Sequence, residues 1–164
     1  MILISYTSNS YYRNFEDMLA ERCEQFSVPH RRYTQDWFRS TEYFQRHRDV
    51  AERFRMDGFA IWKPYIILDA LKYDDLVCYV DASVVFETDP KPSIEAVENI
   101  ACGDAGESWI SREWIKRDAF VLMDCDNPLF WESYIVWAGV MVARKCAEKY
   151  INHVIASLLW CQTK

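Results

Sequence analysis

Glycine is scarce in this sequence. Only Gly58, Gly103, Gly106 and Gly139 occur in 164 residues. No Gly-x-Gly-x-x-Gly or P-loop pattern can be drawn from them, so no glycine-rich nest cradles a phosphate. Histidine is scarcer still, with His30, His47 and His153, and the six cysteines show no Cys-x-x-Cys spacing. A structural zinc site is therefore not expected, and Cys23, Cys78, Cys102, Cys125, Cys146 and Cys161 read mostly as reduced core thiols. Positive charge is not in excess either. The net charge of -6 argues against coating nucleic acid, and the one basic cluster, Pro29 to Tyr33, reads as a solvated loop. No apolar run reaches membrane length, and no leader with a small-residue cleavage site opens the chain, so a cytoplasmic protein is expected.

What is abundant is apolar and aromatic. Hydrophobic residues make up 51%, enough for one domain over 1–164 with a proper core. Aromatics reach 16%, with seven Trp and ten Tyr, which serve as core filler and as pocket walls for flat ligands. The pattern alternates. Ile2 to Tyr6 reads as a strand, and Asn9 or Ser10 caps a helix burying Phe15, Met18, Leu19, Cys23 and Phe26. Ser27 to Tyr33 breaks that helix and has room for a short second strand, and a helix runs from Ser40 to Phe54 with His47 half-buried. After Gly58, Pro64 sits in the first turn of a helix that is apolar nearly all round.

Leu76 to Val80 then reads as a central strand, with Val84 to Phe86 ready to continue it. A helix starts near Pro92, and residues 101–108 are the most loop-like stretch. Trp114 to Met123 reads as a helix, and Asn127 caps another that begins at Pro128. Tyr134 to Ala143 reads as a buried strand, and a terminal helix fills Arg144 to Trp160. The alternation predicts an α/β layered fold with a mostly parallel central sheet, whose ligands collect at the strands' carboxyl ends.

Within "DLVCYVDASVVF", Asp81 interrupts an otherwise apolar run. A dehydrated, unpaired carboxylate there costs several kcal/mol. The expected strand end puts Asp81 on the ligand edge, beside the Tyr6–Thr7–Ser8 turn, where water, a metal or a ligand can satisfy it. Without a glycine nest, a bound diphosphate needs a divalent cation and basic side chains. Asp81 and Ser83 have the i, i+2 spacing of two oxygen ligands for a hard cation.

The segment "GFAIWKPYIILDALKYDDLVCYVDASVVF" resembles the core of GT-A-fold glycosyltransferases, in particular a bacterial and viral group with Trp-Lys-Pro-Tyr-Ile-Ile followed by a strand and Asp-Ala-Gly or Asp-Ala-Ser. "SYTSNSYYRNFEDMLAERCEQF" is similar to the group's first strand and helix, "IKRDAFVLMDCDNPLFW" to its Lys-Arg-Asp segment, and "YIVWAGVMVARK" to a later strand. The resemblance implies a Rossmann-like GT-A nucleotide-diphospho-sugar transferase fold and a hexosyltransferase using a UDP-sugar such as UDP-glucose. It implies that Tyr6, Thr7 and Ser8 hold base and ribose, and that Asp81, Ala82 and Ser83 stand for the Asp-x-Asp motif. Asp81 and Ser83 would hold Mn²⁺ or Mg²⁺, and Lys63 would reach the diphosphate with Trp62 and Tyr65 in support. Gly139 would let backbone approach the sugar, while Lys116, Arg117, Asp118, Asp124 and Asp126 fall on the sugar or acceptor side. Asp118 and Asp124 are the candidate catalytic carboxylates. The acceptor would be a glycan, lipid or protein.

Two departures stand out. Ser83 replaces the second Asp, and the sequence ends at "LLWCQTK" where the group continues into a His-x-x-Asp-Gln-Ser-like segment. A natural minimal version of the domain or a truncated product of it is the expectation. The alternatives are a non-catalytic nucleotide-sugar-binding module and, more weakly, a phosphohydrolase with Asp81 as nucleophile.

Overall fold

The computed structural model describes residues 1–8, 10–53, 60–104, 106 and 109–152. A five-stranded sheet forms the middle layer, in the order β2-β1-β3-β5-β4. The strands are β1 (Ile2–Thr7), β2 (His30–Thr34), β3 (Leu76–Val80), β4 (Ile100–Asp104) and β5 (Val136–Arg144). β1 pairs in parallel with both β2 and β3, while β5 runs antiparallel to both of its neighbours. The expected α/β architecture is present, with a parallel centre extended by a reversed strand. The carboxyl ends of β1, β2, β3 and β4 and the amino end of β5 therefore share one edge.

Helices cover both faces. Period-2 alternation sends Leu3, Cys78 and Val80 toward Leu19 and Cys23 of the Arg13–Gln25 helix. The intervening Ile4, Tyr6, Val77 and Tyr79 pack on Ile66, Ile67 and Ala70 of the Trp62–Ala70 helix. That helix is buried on most sides because it is wedged between the sheet and the residue 37–51 region, whose Phe38, Phe44, Val50 and Ala51 join the same cluster. Among the described residues no helix is long and apolar enough to cross a membrane.

Several expectations need correction. The basic cluster is not a solvated loop but the edge strand β2, the short second strand expected in this segment, with Tyr33 buried inside. Its arginines are accommodated by partners: Arg32 meets Asp17 at 2.6 Å, and Arg31 lies over the Tyr33 ring and 3.5 Å from Asp69. The loop-like 101–108 stretch begins instead as β4, also an edge strand. Its Gly103 reflects close approach: a Cβ there would lie 2.8 Å from the Trp137 ring. The first helix turns Glu16, Leu19 and Cys23 inward and leaves Phe15 and Met18 exposed. It is preceded by a 3-10 turn at Ser10–Tyr12, and its N-cap residue Tyr12 makes no side-chain capping bond.

The single helix expected from Ser40 is two, Glu42–Arg46 and Arg48–Arg53, separated at a half-buried His47 and begun by a Thr41 cap. Trp114 to Met123 is likewise split, into Ser111–Trp114 and Arg117–Leu122. β3 stops at Val80, because the Val84 amide bonds back to the Asp81 carbonyl in a turn. β5 is buried only in its second half. Asn127 does cap the Pro128–Trp131 helix. The terminal helix is seen at residues 148–152. Asn9, Phe54, Gly58, His153, Cys161 and the rest of the stretch expected to form that helix lie outside the described residues.

Candidate functional site

The site grows from the end of the central strand. Tyr79 and Asp81 are two residues apart and project to the same face, so the buried Tyr79 hydroxyl reaches forward and donates to Asp81 Oδ1. Burial, then the carboxylate charge, pushes the Tyr79 phenol far above its usual range. Lys63, in the first turn of the Trp62–Ala70 helix, places its ammonium 2.9 Å from the same Oδ1. A second donor of that ammonium reaches the Ala138 carbonyl at 3.0 Å. Its charge also lies over the Tyr79 ring, at 5.0 Å, and the Trp62 ring, at 5.7 Å. The carboxylate that interrupts the apolar run is therefore satisfied within the protein, by a cation and a phenol.

β5 supplies the other wall. Between β4 and β5 the register shifts: β4 steps from Cys102 to Gly103 while β5 steps from Met141 back to Trp137. Among the intervening residues, the Ala138 carbonyl accepts from Lys63 on the helix and the Gly139 carbonyl from the Asp81 amide at 2.7 Å. The Trp137 indole fills the space over Gly139, where any Cβ would collide with it. Gly139 thus sits at the site through its backbone.

Around this cluster opens a cavity of about 360 Å³ lined by Tyr6, Ser8, Tyr12, Trp62, Lys63, Tyr79, Asp81, Ala82 and Ser83. Tyr6 and Trp62 are stacked on each other at 3.8 Å and buried, forming a wall. An adjoining cavity of about 490 Å³ shares Ser8 and takes in Thr7, Arg13, Glu16, Asp17, Arg32, Thr34, Gln35 and Asp36. The structure thus gathers Tyr6, Ser8, Trp62, Lys63, Asp81, Ala82 and Ser83 around one cavity and places Thr7 in the next. Asp118 and Asp124 line neither cavity and are exposed, and Asp126 is tied to Arg117 at 3.1 Å. Tyr65 stacks on Tyr43 at 4.3 Å, away from the pocket lining.

Sequence reasoning missed Tyr79, Tyr12 and Glu16. Tyr79 was legible as the i-2 neighbour of Asp81 on one strand face. Glu16 is buried at the floor of the second cavity, where the Ser5 hydroxyl donates to it at 2.8 Å and the Thr7 hydroxyl at 3.1 Å. Since the Ser5 proton goes to Glu16, the His30 Nε2–H donates to Ser5 across 2.9 Å. Burial, reinforced by the Arg32 charge, pulls the His30 pKa down to about 4 and keeps the ring neutral.

A divalent cation can be tested against this donor set. Mg²⁺ is ordinarily held by one or two carboxylates plus substrate phosphates. Here Asp81 is, among the described residues, the single carboxylate lining the cavity, and Ser83 is exposed in the turn after it. Among the described residues no group of three or more His, Cys, Asp or Glu side chains converges. The Lys63 ammonium already occupies Asp81 Oδ1, and it repels an approaching dication by roughly 8 kcal/mol at ~4 Å and an effective dielectric of ~20, which offsets the carboxylate's attraction at the same distance. While Lys63 holds this position, the residues do not fit Mn²⁺ or Mg²⁺.

A larger cavity of about 710 Å³ opens at the opposite ends of the strands. Its cations are engaged by the protein itself. The Met1 amino group pairs with Asp74 at 3.0 Å, Arg144 binds the Val97 and Glu95 carbonyls, and Lys145 binds the Leu71 carbonyl. It offers a ligand little that is unspent.

No family model matches the sequence, and no curated protein matches it. Among solved structures, the fold is similar to the crystal structure of a glycosyltransferase involved in the glycosylation of the major capsid of PBCV-1. The TM-score is 0.54 at 13% identity, and the match covers 96% of this chain and 67% of that one. The likeness extends over nearly the whole chain and carries the fold.

Proposed function

We propose that this chain is a glycosyltransferase whose donor is a nucleotide-diphosphate sugar, namely a UDP-hexose such as UDP-glucose. One observation carries the reading: an ammonium and a carboxylate, Lys63 and Asp81, meet at the end of the central strand inside an aromatic-walled cavity. Ligands of open α/β sheets bind at this edge, and the shared fold with a glycosyltransferase supports the assignment. The base and ribose occupy the cavity of Thr7, Ser8, Thr34 and Asp36, and the diphosphate and sugar the cavity of Lys63 and Asp81. Asp81 accepts a hydroxyl of the ribose or sugar through Oδ2, since both of its side-chain contacts fall on Oδ1.

In transfer, an acceptor hydroxyl oxygen bonds to the anomeric carbon as the bond from that carbon to the β-phosphate oxygen breaks. The electron pair leaves on UDP, and the acceptor proton passes to a base. Positive charge preorganised at the diphosphate stabilises the departing group. Asp118 and Asp124 are our candidates for the base. Both lie on the excursion between β4 and β5, which leaves and rejoins the sheet at the ligand edge. A glycan, lipid or protein hydroxyl is the acceptor.

The test is release of nucleoside diphosphate from a panel of nucleotide sugars, with the Asp81→Asn variant as control. UDP-hexose is expected to give slow UDP release to water and faster release with acceptor. Donor at ~100 times its dissociation constant should also stabilise the fold by about 2.7 kcal/mol. Absence of stabilisation by every nucleotide sugar contradicts the reading. Stabilisation without any turnover favours the second reading, a binding module, which the exposed positions of Asp118 and Asp124 outside both cavities support. An Asp81-based phosphohydrolase is disfavoured because Ser83 stands where the companion acid two residues on is needed, and an aryl phosphate substrate tests it.

A further inference from the structure

We infer that Lys63 takes the place of a divalent cation in this site, so that the chain binds its nucleotide diphosphate without metal. The inference rests on the donor assignment just made and concerns how the same cavity meets the diphosphate charge.

Four observations converge on Lys63. Its ammonium is fixed between Asp81 Oδ1 at 2.9 Å and the Ala138 carbonyl at 3.0 Å, over the faces of Tyr79 and Trp62. An ammonium carries three N–H donors, so two hold it in place and the third is left for a phosphate oxygen. The residue sits in the first turn of a helix, where the dipole disfavours a cation, so helix stability does not account for its placement. The irregular register of β5 turns the Ala138 carbonyl onto it, which builds a second oxygen ligand for a cation that the side chain itself brings.

Charge completes the case. Two carboxylates at this strand end would make an anionic pocket that repels a diphosphate until a dication arrives. Here the second position is Ser83, and one carboxylate faces one ammonium, so the pocket is neutral before the ligand enters. The adjoining cavity sets Arg13 and Arg32 against Glu16, Asp17 and Asp36 and adds no net positive charge, so the diphosphate charge falls to Lys63. A lysine in this role binds phosphate as a point charge.

Calorimetric titration of the full chain with UDP and with uridine tests this, in EDTA and then in excess Mn²⁺ or Mg²⁺. UDP is expected to bind in EDTA with an affinity within about threefold of that with metal. Lys63→Ala should weaken UDP at least about tenfold while changing uridine less than about twofold. Lys63→Arg, which keeps the charge, should retain most of the UDP affinity. Uridine binding in the same sample reports that the variant is folded. UDP binding that appears only with metal, or an unchanged UDP-to-uridine ratio in Lys63→Ala, overturns the inference while leaving the nucleotide-sugar reading intact. Failure of UDP to bind under either condition removes that reading, and this inference with it.

Discussion

Lys63 and Asp81 face each other across 2.9 Å, joining the first turn of a buried helix to the residue just beyond the central strand. The pair does two jobs at once. It neutralises a carboxylate at the mouth of the core, and it presents fixed charge to the cavity. Replacing Asp81 by Ala leaves both the ammonium and the buried Tyr79 hydroxyl without their acceptor. Losing that acceptor is expected to cost about 1–3 kcal/mol. Urea unfolding of Asp81→Ala, Tyr79→Phe and the double variant should be non-additive, because the two changes share one contact. Additive losses contradict the coupling.

The Tyr6–Trp62 stack is the wall of the cavity and part of the larger core cluster. Trp62→Ala should destabilise by about 3–5 kcal/mol, in line with removal of a buried aromatic. Trp62→Phe should fold with a much smaller loss. Thermal or denaturant unfolding of the two variants distinguishes a packed wall from a loosely held side chain.

Stability should fall between neutral pH and pH 4, in part through His30. Its folded pKa is lowered from 6.5 to about 4, so the unfolded chain takes up the proton first as pH falls. The contribution is fully present above 6.5 and is lost progressively as pH drops toward 4. A His30→Gln variant, compared with wild type by denaturant unfolding across this range, should show a shallower decline. An identical slope contradicts a buried neutral imidazole.

Thiol reactivity reports the same core. Burial pushes Cys23 up to about 11 and Cys78 up to about 12, while Cys146 is exposed. Alkylation of the native protein, read by mass spectrometry of peptides, should modify Cys146 well before Cys23 and Cys78. Equal rates contradict the packing of β3 against the first helix.

Much of this was legible in the sequence, for identifiable reasons. Five apolar residues bounded by Asp75 and Asp81 marked β3, and the doubly buried strand left no competing period. Asn127 ahead of Pro128 announced a helix start, and the side chain does accept from the Leu129 amide. Lys63 and Asp81 were picked separately, but their union was not visible, since it depends on the helix crossing the strand end. β4 was obscured, and β2 showed only as a short strand inside a basic cluster that otherwise reads as loop, because edge strands tolerate charge and glycine. Glu16 was hidden because a buried carboxylate is acceptable only with partners, and Ser5 and Thr7 come from a different element. The exposed helices of residues 111–131 gave a weak periodic signal because their apolar side chains, such as Leu129 and Trp114, do not face a core.

Hydrogen exchange with and without UDP-glucose tests the central claim most directly, because it reports where the ligand sits. Protection is predicted in peptides covering residues 6–12, 61–64 and 80–84, where the two adjoining cavities meet the strand ends. Residues 91–97, on another part of the sheet's surroundings, should be unchanged. Protection confined to the opposite strand ends, around Met1, Lys72 and Arg144, or no protection anywhere at saturating ligand, contradicts the account.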